Sequence, residues 1–215
     1  LAGGATGTSS PKLVYLNDCK PNGCTVRPGR DNATTNTSSI VSTLTLLPPF
    51  PFSDALFDQV VQCVRNSFSP FSVIVSTTDP GNVLHREFMY TTLPSTIGKP
   101  IGVGGVAPWA CGIPLENTIA FGFATIHGED VAELCNTASH EIGHLMGLDH
   151  DFYCPDHMTY LEGCGMKSFV DVDAQCGTYS PTNCYCGAAP TQNTFAKLAG
   201  LAGLSRPIFA DGFDP

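Results

Sequence analysis

Charge is scarce in this 215-residue chain: Asp, Glu, Lys and Arg make up 13% of it, about half the roughly 25% usual in globular domains. Basic residues are the scarcer sign, with 10 Lys and Arg against 19 Asp and Glu and a formal net charge of −9. That balance argues against nucleic acid or an anionic membrane as a partner. Long apolar runs are missing too. None approaches the roughly 20 residues of a membrane-spanning helix. Loop carboxylates such as Asp171 and Asp173 raise the question of structural Ca2+, but no recognisable calcium-binding loop surrounds them. Ser, Thr, Asn and Gly take the place of charge on the surface. The length suffices for a sizeable core in one domain, or in one domain split by a cleft, and a monomer is expected.

Cysteine, by contrast, is plentiful. Ten stand at positions 19, 24, 63, 111, 135, 154, 164, 176, 184 and 186. An even count in a chain that opens on Leu1 is the pattern expected of an exported protein whose leader has been removed, with five disulfides. The sequence leaves their connectivity open. The rival reading, a second metal site from Cys176, Cys184 and Cys186, does not fit the usual C-x-x-C knuckle. Two sequons, at Asn32 and Asn36, matter only in a eukaryotic host.

Along the chain, residues 1–11 form a flexible Gly/Ala/Thr/Ser lead-in, and Lys12–Asn17 reads as a first strand. Residues 19–39 read as a polar loop that Cys19 and Cys24 could staple. Ser53 is the expected N-cap of a helix running to about Asn66, with Leu56, Val60, Cys63 and Val64 as its apolar stripe. Residues 71–76, 86–93, 101–106 and 118–126 read as strands, the last a central one. A second helix starts near Glu129 and Asp130 and buries Val131, Leu134, Cys135, Ala138, Ile142 and Leu145. Cys135 would either bond a cysteine further down the chain or pack as a small apolar residue. A last helix begins at residues 193–199 and is ended by Gly203.

The second helix carries the chemistry. His140, Glu141, His144, Gly147 and His150 spell H-E-x-x-H-x-x-G-x-x-H. Histidines at i and i+4 lie one above the other on a helix, so His140 and His144 can bind one metal ion together. Glu141 is placed to reach a water rather than the metal. Gly147 suits the left-handed residue on which helices often end, and the turn it permits can bring His150 back as a third ligand. Three histidines and one open position describe a catalytic Zn2+ site rather than a structural one. His85, His127 and His157 lack partners at ligand spacing and are expected on the surface or in loops, although His157 beside Met158 could line a cleft.

The full string, with Met158 and Tyr160 after it, resembles the metzincin zinc endopeptidases, which follow the third histidine with a methionine-containing turn. Met158 lies eight residues after His150, a spacing similar to that of the matrix metalloproteases. Tyr160 matches the Met-x-Tyr pattern of astacins and serralysins, and Asp151 after the third histidine resembles the adamalysins. The resemblance covers about residues 128–160 and leaves the subfamily open.

The resemblance implies one α+β catalytic domain over residues 1–215. An upper subdomain (12–147) would hold a twisted mixed sheet backed by two helices. A small disulfide-rich lower subdomain (148–204) would carry the Met-turn and end in a helix, followed by a tail (205–215). It implies zinc on His140, His144 and His150, Glu141 as general base, and Tyr160 as a donor to the oxyanion. Met158 would be an apolar floor beneath the histidines, and Asp151 a support for ligand orientation. The run from Gly102 to Pro108 would be the edge strand along which an extended protein or peptide substrate pairs. In the tail, Asp211 or Asp214 could reach the zinc, against the plainer reading of a solvated end. The activity expected is that of a secreted zinc endopeptidase. The alternative is a secreted binding or toxin-like module that keeps zinc only as a structural clip.

Overall fold

β-branched and aromatic residues set the strands and capped apolar stripes set the helices. The computed structural model describes residues 12–205 except 111, 186 and 188. The lead-in 1–11, Cys111, Cys186 and both tail aspartates, Asp211 and Asp214, lie outside the described residues. In chain order the elements are β1 (Lys12–Asn17), β2 (Cys24–Pro28), β3 (Thr37–Ser38), β4 (Thr45–Leu47), α1 (Asp54–Phe68), β5 (Val73–Ser76), β6 (Arg86–Thr91), β7 (Gly105–Val106), β8 (Thr118–Phe123), α2 (Val131–Leu145), β9 (Ala174–Gln175), β10 (Thr191–Gln192) and α3 (Thr194–Ala202). The architecture is mixed α+β, with three helices and several sheets among the described residues.

The main sheet has the order β5-β1-β6-β8-β7. Its first four strands are parallel, and β7 runs antiparallel to β8 at the edge. β6 and β8 are buried along their whole length, as strands covered on both faces must be. On one face, Leu16, Phe88, Tyr90 and Ala120 pack against Val60 and Val64 of α1 and Leu134 and Ala138 of α2. On the other, Met89, Ile119, Phe121 and Phe123 pack against Val26 and Leu47 of the small β3-β2-β4 sheet and Val41 of the β3–β4 connection.

Local chemistry fixes the helices. Ser53 accepts a hydrogen bond from the Leu56 amide at 3.2 Å, and Asp130 accepts from the Ala132 and Glu133 amides at 2.9 and 3.1 Å. Each satisfies N–H groups that the first helical turn cannot. The helix α2 is tied to the sheet at both ends: Tyr90 Oη donates to the Leu134 carbonyl, and Arg86 Nε donates to the Leu145 carbonyl at 3.4 Å. A disulfide between Cys63 and Cys135 joins α1 to α2.

Several sequence expectations need correction. Cys135 bonds to a cysteine of the neighbouring helix, not to one further down the chain, because both apolar stripes face the same core. Residues 19–39 are not merely a loop: the Cys19–Cys24 bond leads into β2, which pairs with β3 and β4, strands too short to give a readable alternation. The strand expected over 101–106 shrinks to Gly105–Val106, since consecutive glycines supply little to pack. The 118–126 strand stops at Phe123, turns into a 3₁₀ segment, and lies one strand in from the edge; β6 takes the centre. The strands at 71–76 and 86–93 narrow to β5 and β6, and the first helix extends to Phe68. His85 and His157 lie in loops, as expected, but are buried there rather than exposed, at 2% and 1% exposure. Four disulfides are present among the described residues: Cys19–Cys24, Cys63–Cys135, Cys154–Cys164 and Cys176–Cys184.

Two outcomes are expected. Replacing Cys63 and Cys135 together by Ala should lower stability by about 4 kcal/mol, the chain entropy regained when a loop spanning 72 residues opens. Urea unfolding measures this, and a loss well under ~1 kcal/mol would mean that the packed helices need no bond between them. Glu87 is buried in β6, where Asn17 Nδ2 donates to it at 2.8 Å and His85 Nε2 lies 4.0 Å away. At that distance the histidine is too far to act as a close ion pair, and burial lifts the carboxyl to about 8 against the pull of the Asn17 hydrogen bond. The folded state therefore holds a proton that the unfolded chain releases near pH 4.5, so this stability is present below that pH and lost as pH rises toward 8. Glu87→Gln should leave the urea midpoint little changed at pH 5 and raise it at pH 8.5, with the opposite order excluding a protonated Glu87.

Candidate metal centre and adjoining cleft

Helix α2 presents His140 and His144 one turn apart, with ring centroids 4.6 Å apart and their Nε2 atoms 3.0 Å apart. The helix stops because Gly147 adopts φ +84°, a left-handed conformation. The Leu148 amide then bonds back to the Gly143 carbonyl at 3.0 Å. A side chain on Gly147 would also meet the backbone of Gly112 at 3.0 Å. This turn carries His150 to the same point, its Nε2 3.0 Å from that of His144.

The opposite ring nitrogens are all engaged. His140 Nδ1 lies 2.8 Å from the His157 carbonyl, His144 Nδ1 3.0 Å from the Leu148 carbonyl, and His150 Nδ1 3.1 Å from Thr178 Oγ1. A carbonyl can only accept, so His140 and His144 donate from Nδ1, and in the neutral ring this leaves Nε2 as a bare lone pair. Burial is the main cause that keeps the rings neutral: His140 is held well below the usual histidine range, His144 falls to about 4, and His150 is lowered. The His140 and His144 lone pairs, facing one another at 3.0 Å, are repulsive unless a cation lies between them. A tetrahedral ion with Zn–N bonds of about 2.0–2.1 Å spaces its ligand atoms by about 3.3 Å, a few tenths from what is seen. The three histidines therefore fit, and can hold, a metal ion. The other cluster of metal-binding residue types among those described, Asp149 with Cys176 and Cys184, is no ligand set, because its two cysteines form a disulfide.

Around the histidines the other expected residues fall into place in different ways. Glu141 is buried against the β7 edge, where a Cβ on Gly105 would come within 2.7 Å of its Cγ and Oε1. Burial pushes its carboxyl up to about 8. Tyr160 stacks on His140 at 5.2 Å and tilts over His150 at 4.6 Å. It is 44% exposed, and burial of the remainder, followed by the nearby Glu141 charge, raises its phenol to about 12. Met158 is fully buried beneath α2, and its Sδ occupies the space that a Cβ on Gly143 would need. Asp151 is fully buried, and burial, then the charge of Asp156, lifts its carboxyl to about 8. Its amide pairs with the Met158 carbonyl at 3.2 Å, so its backbone joins the third-histidine segment to the methionine turn. Asp171 and Asp173 are exposed, and no third acidic, His or Cys ligand gathers with them among the described residues.

A cleft of about 330 Å³ opens beside this centre, between the Gly102–Gly105 stretch above and residues after Met158 below. Of the expected edge strand 102–108, only Gly105–Val106 forms a strand, while Gly102, Val103 and Gly104 line the cleft, the Gly104 carbonyl accepting one bond from the Phe123 amide of β8 at 2.8 Å. His127 is half-buried there, bonded to Thr137 Oγ1 at 2.8 Å. Asn136, Thr137, His157 and Lys167 also line it, and the sequence reading singled out none of them except His157. One signal was available: Asn136 precedes His140 by four residues, putting an amide on the face of α2 that carries the metal-binding histidines.

His150→Ala should weaken zinc binding by more than ~100-fold, since loss of an outer-sphere partner alone costs 10–100-fold. Equilibrium dialysis against zinc measures this, with the unsubstituted protein expected to bind a single equivalent. Undiminished affinity would remove His150 from the ligand set.

No family model matches the chain and no curated protein matches it.

Proposed function

We propose that the protein is a secreted zinc endopeptidase of the metzincin kind. The observation that carries this reading is the convergence of three neutral, Nδ1-anchored imidazoles beside a buried carboxylate at the edge of an open cleft. A zinc ion on His140, His144 and His150 would lower the pKa of a water and polarise the scissile carbonyl. Glu141 takes the proton of the attacking water and returns it to the leaving amine. Burial raises the proton affinity of this carboxyl, which favours its taking the proton, and the charge of a bound zinc would pull the other way, keeping it ionised to act as the base. Tyr160, kept protonated and lying over two of the histidines, offers its hydroxyl to the oxyanion that develops on the carbonyl.

The half-open edge at Gly102–Gly105 supports an extended peptide as substrate. Backbone groups there can pair with any sequence and leave selectivity to the side-chain recess. Disulfides among the described residues are consistent with an oxidising, extracellular setting. No helix among those described is long and apolar enough to cross a membrane.

Glu141→Ala should keep its zinc and lose casein cleavage by 10²-fold or more, as expected when a general base is removed. Tyr160→Phe should lower kcat by about 10²-fold with KM little changed, the mark of an interaction made mainly in the transition state. Undiminished turnover by Glu141→Ala would remove that residue from the mechanism. Stoichiometric zinc with no hydrolysis by the unsubstituted protein would favour the zinc-clipped binding module instead.

A further inference from the structure

The recess beside Glu141 contains hydrogen-bonding groups that the protein itself leaves unused. Asn136 is 5% exposed, and neither its Nδ2 nor its Oδ1 has a partner among the described residues. His157 is 1% exposed; its Nε2 meets Ser67 Oγ at 2.9 Å, while its Nδ1 has no partner. Both line the same cleft as His140, Glu141 and Tyr160. Folded proteins satisfy the great majority of buried polar side-chain atoms. Two unmet groups on one cavity therefore call for a ligand that meets them.

We propose that this recess takes a primary carboxamide, the side chain of an Asn or Gln residue in an extended peptide. A carboxamide has one acceptor oxygen and two N–H donors. Against Asn136 it can form a reciprocal amide pair, donating to Oδ1 while accepting from Nδ2, and a further contact to His157 Nδ1 remains open. A carboxylate only accepts, so it would leave Asn136 Oδ1 facing another acceptor, in a cleft already lined by Glu133, Glu141 and Glu162. An ammonium would satisfy Oδ1 but leave Nδ2 unmet and share the cleft with Lys167. The Lys167 ammonium is itself engaged, donating to the Thr159 and Leu161 carbonyls at 3.3 and 3.0 Å, and so pins the lower wall of the cleft. An apolar side chain would bury both orphaned atoms, and sites built for a polar group reject analogues lacking it most strongly.

As a statement of substrate class this rests on the endopeptidase reading; as a statement of what the recess binds it does not. The test is a positional series of short blocked peptides carrying Gln, Asn, Glu, Lys or Leu at one site at a time. Binding is measured by calorimetry to zinc-loaded Glu141→Ala, and kcat/KM with the unsubstituted protein. Gln or Asn should be favoured at one position by roughly 10-fold or more over Leu and Glu. Asn136→Leu, close to it in size, should erase that preference. Equal or better binding of the Leu or Glu peptides overturns the proposal, and that ranking stands even where Asn136→Leu fails to fold. A carboxamide preference in binding with no peptide or casein cleaved would uphold the recess and sink the endopeptidase reading. Casein cleavage without the preference would do the reverse.

Discussion

Three imidazole Nε2 atoms that converge on one point impose the constraint on which the rest of this structure depends. Each ring is held by its far nitrogen: His140 by the His157 carbonyl, His144 by the Leu148 carbonyl and His150 by Thr178. Burial removes protonation as an escape, because a charged imidazolium would be desolvated among like neighbours. A cation at the centre would turn the arrangement from repulsive to stable. All the anchoring groups come from chain beyond α2, so the segments after the helix shape the centre as much as the helix itself.

Those segments have little regular structure, with β9, β10 and α3 as their only elements among the described residues. Carboxylates do much of the work that ladders do elsewhere. Asp149 accepts from the His150 and Tyr185 amides at 2.8 and 2.6 Å, and Asp156 accepts from the Met158 and Val170 amides at 2.9 and 3.1 Å. Buried side chains of this kind satisfy backbone donors that no helix or sheet can reach. The Cys154–Cys164 and Cys176–Cys184 bonds close short loops of the same region, where apolar burial is modest. Above it, the sheet and its two covering helices form a conventional core, and Tyr90 and Arg86 transmit that rigidity to the two ends of α2.

Legibility in the sequence followed the strength of the local signal. The helix α2, its acidic N-cap and the i, i+4 histidines could be read because periodicity and capping act over a few residues. The strands β1, β5, β6 and β8 were readable as β-branched and aromatic runs, with ends off by a few residues. The small sheet was not, because strands of two to five residues are too short to show an apolar alternation. The burial of His85 and His157 in their loops was hidden for a related reason: with no partner near them in sequence, nothing local foretold a place beside Glu87 or against Ser67.

By itself, then, the order of residues determined which side chains could share a metal ion, since helical spacing and a glycine able to take positive φ are properties of a dozen adjacent positions. It also determined that disulfides would be many. Only the tertiary structure decided which cysteines pair, which acceptor fixes each imidazole, and that Asn136 is left with both amide atoms unmet inside a cleft. These are contacts between segments far apart in the chain, such as Cys63 with Cys135 or Ser67 with His157. They arise from how two helices and a sheet bury their apolar faces against one another, which no short window of sequence encodes.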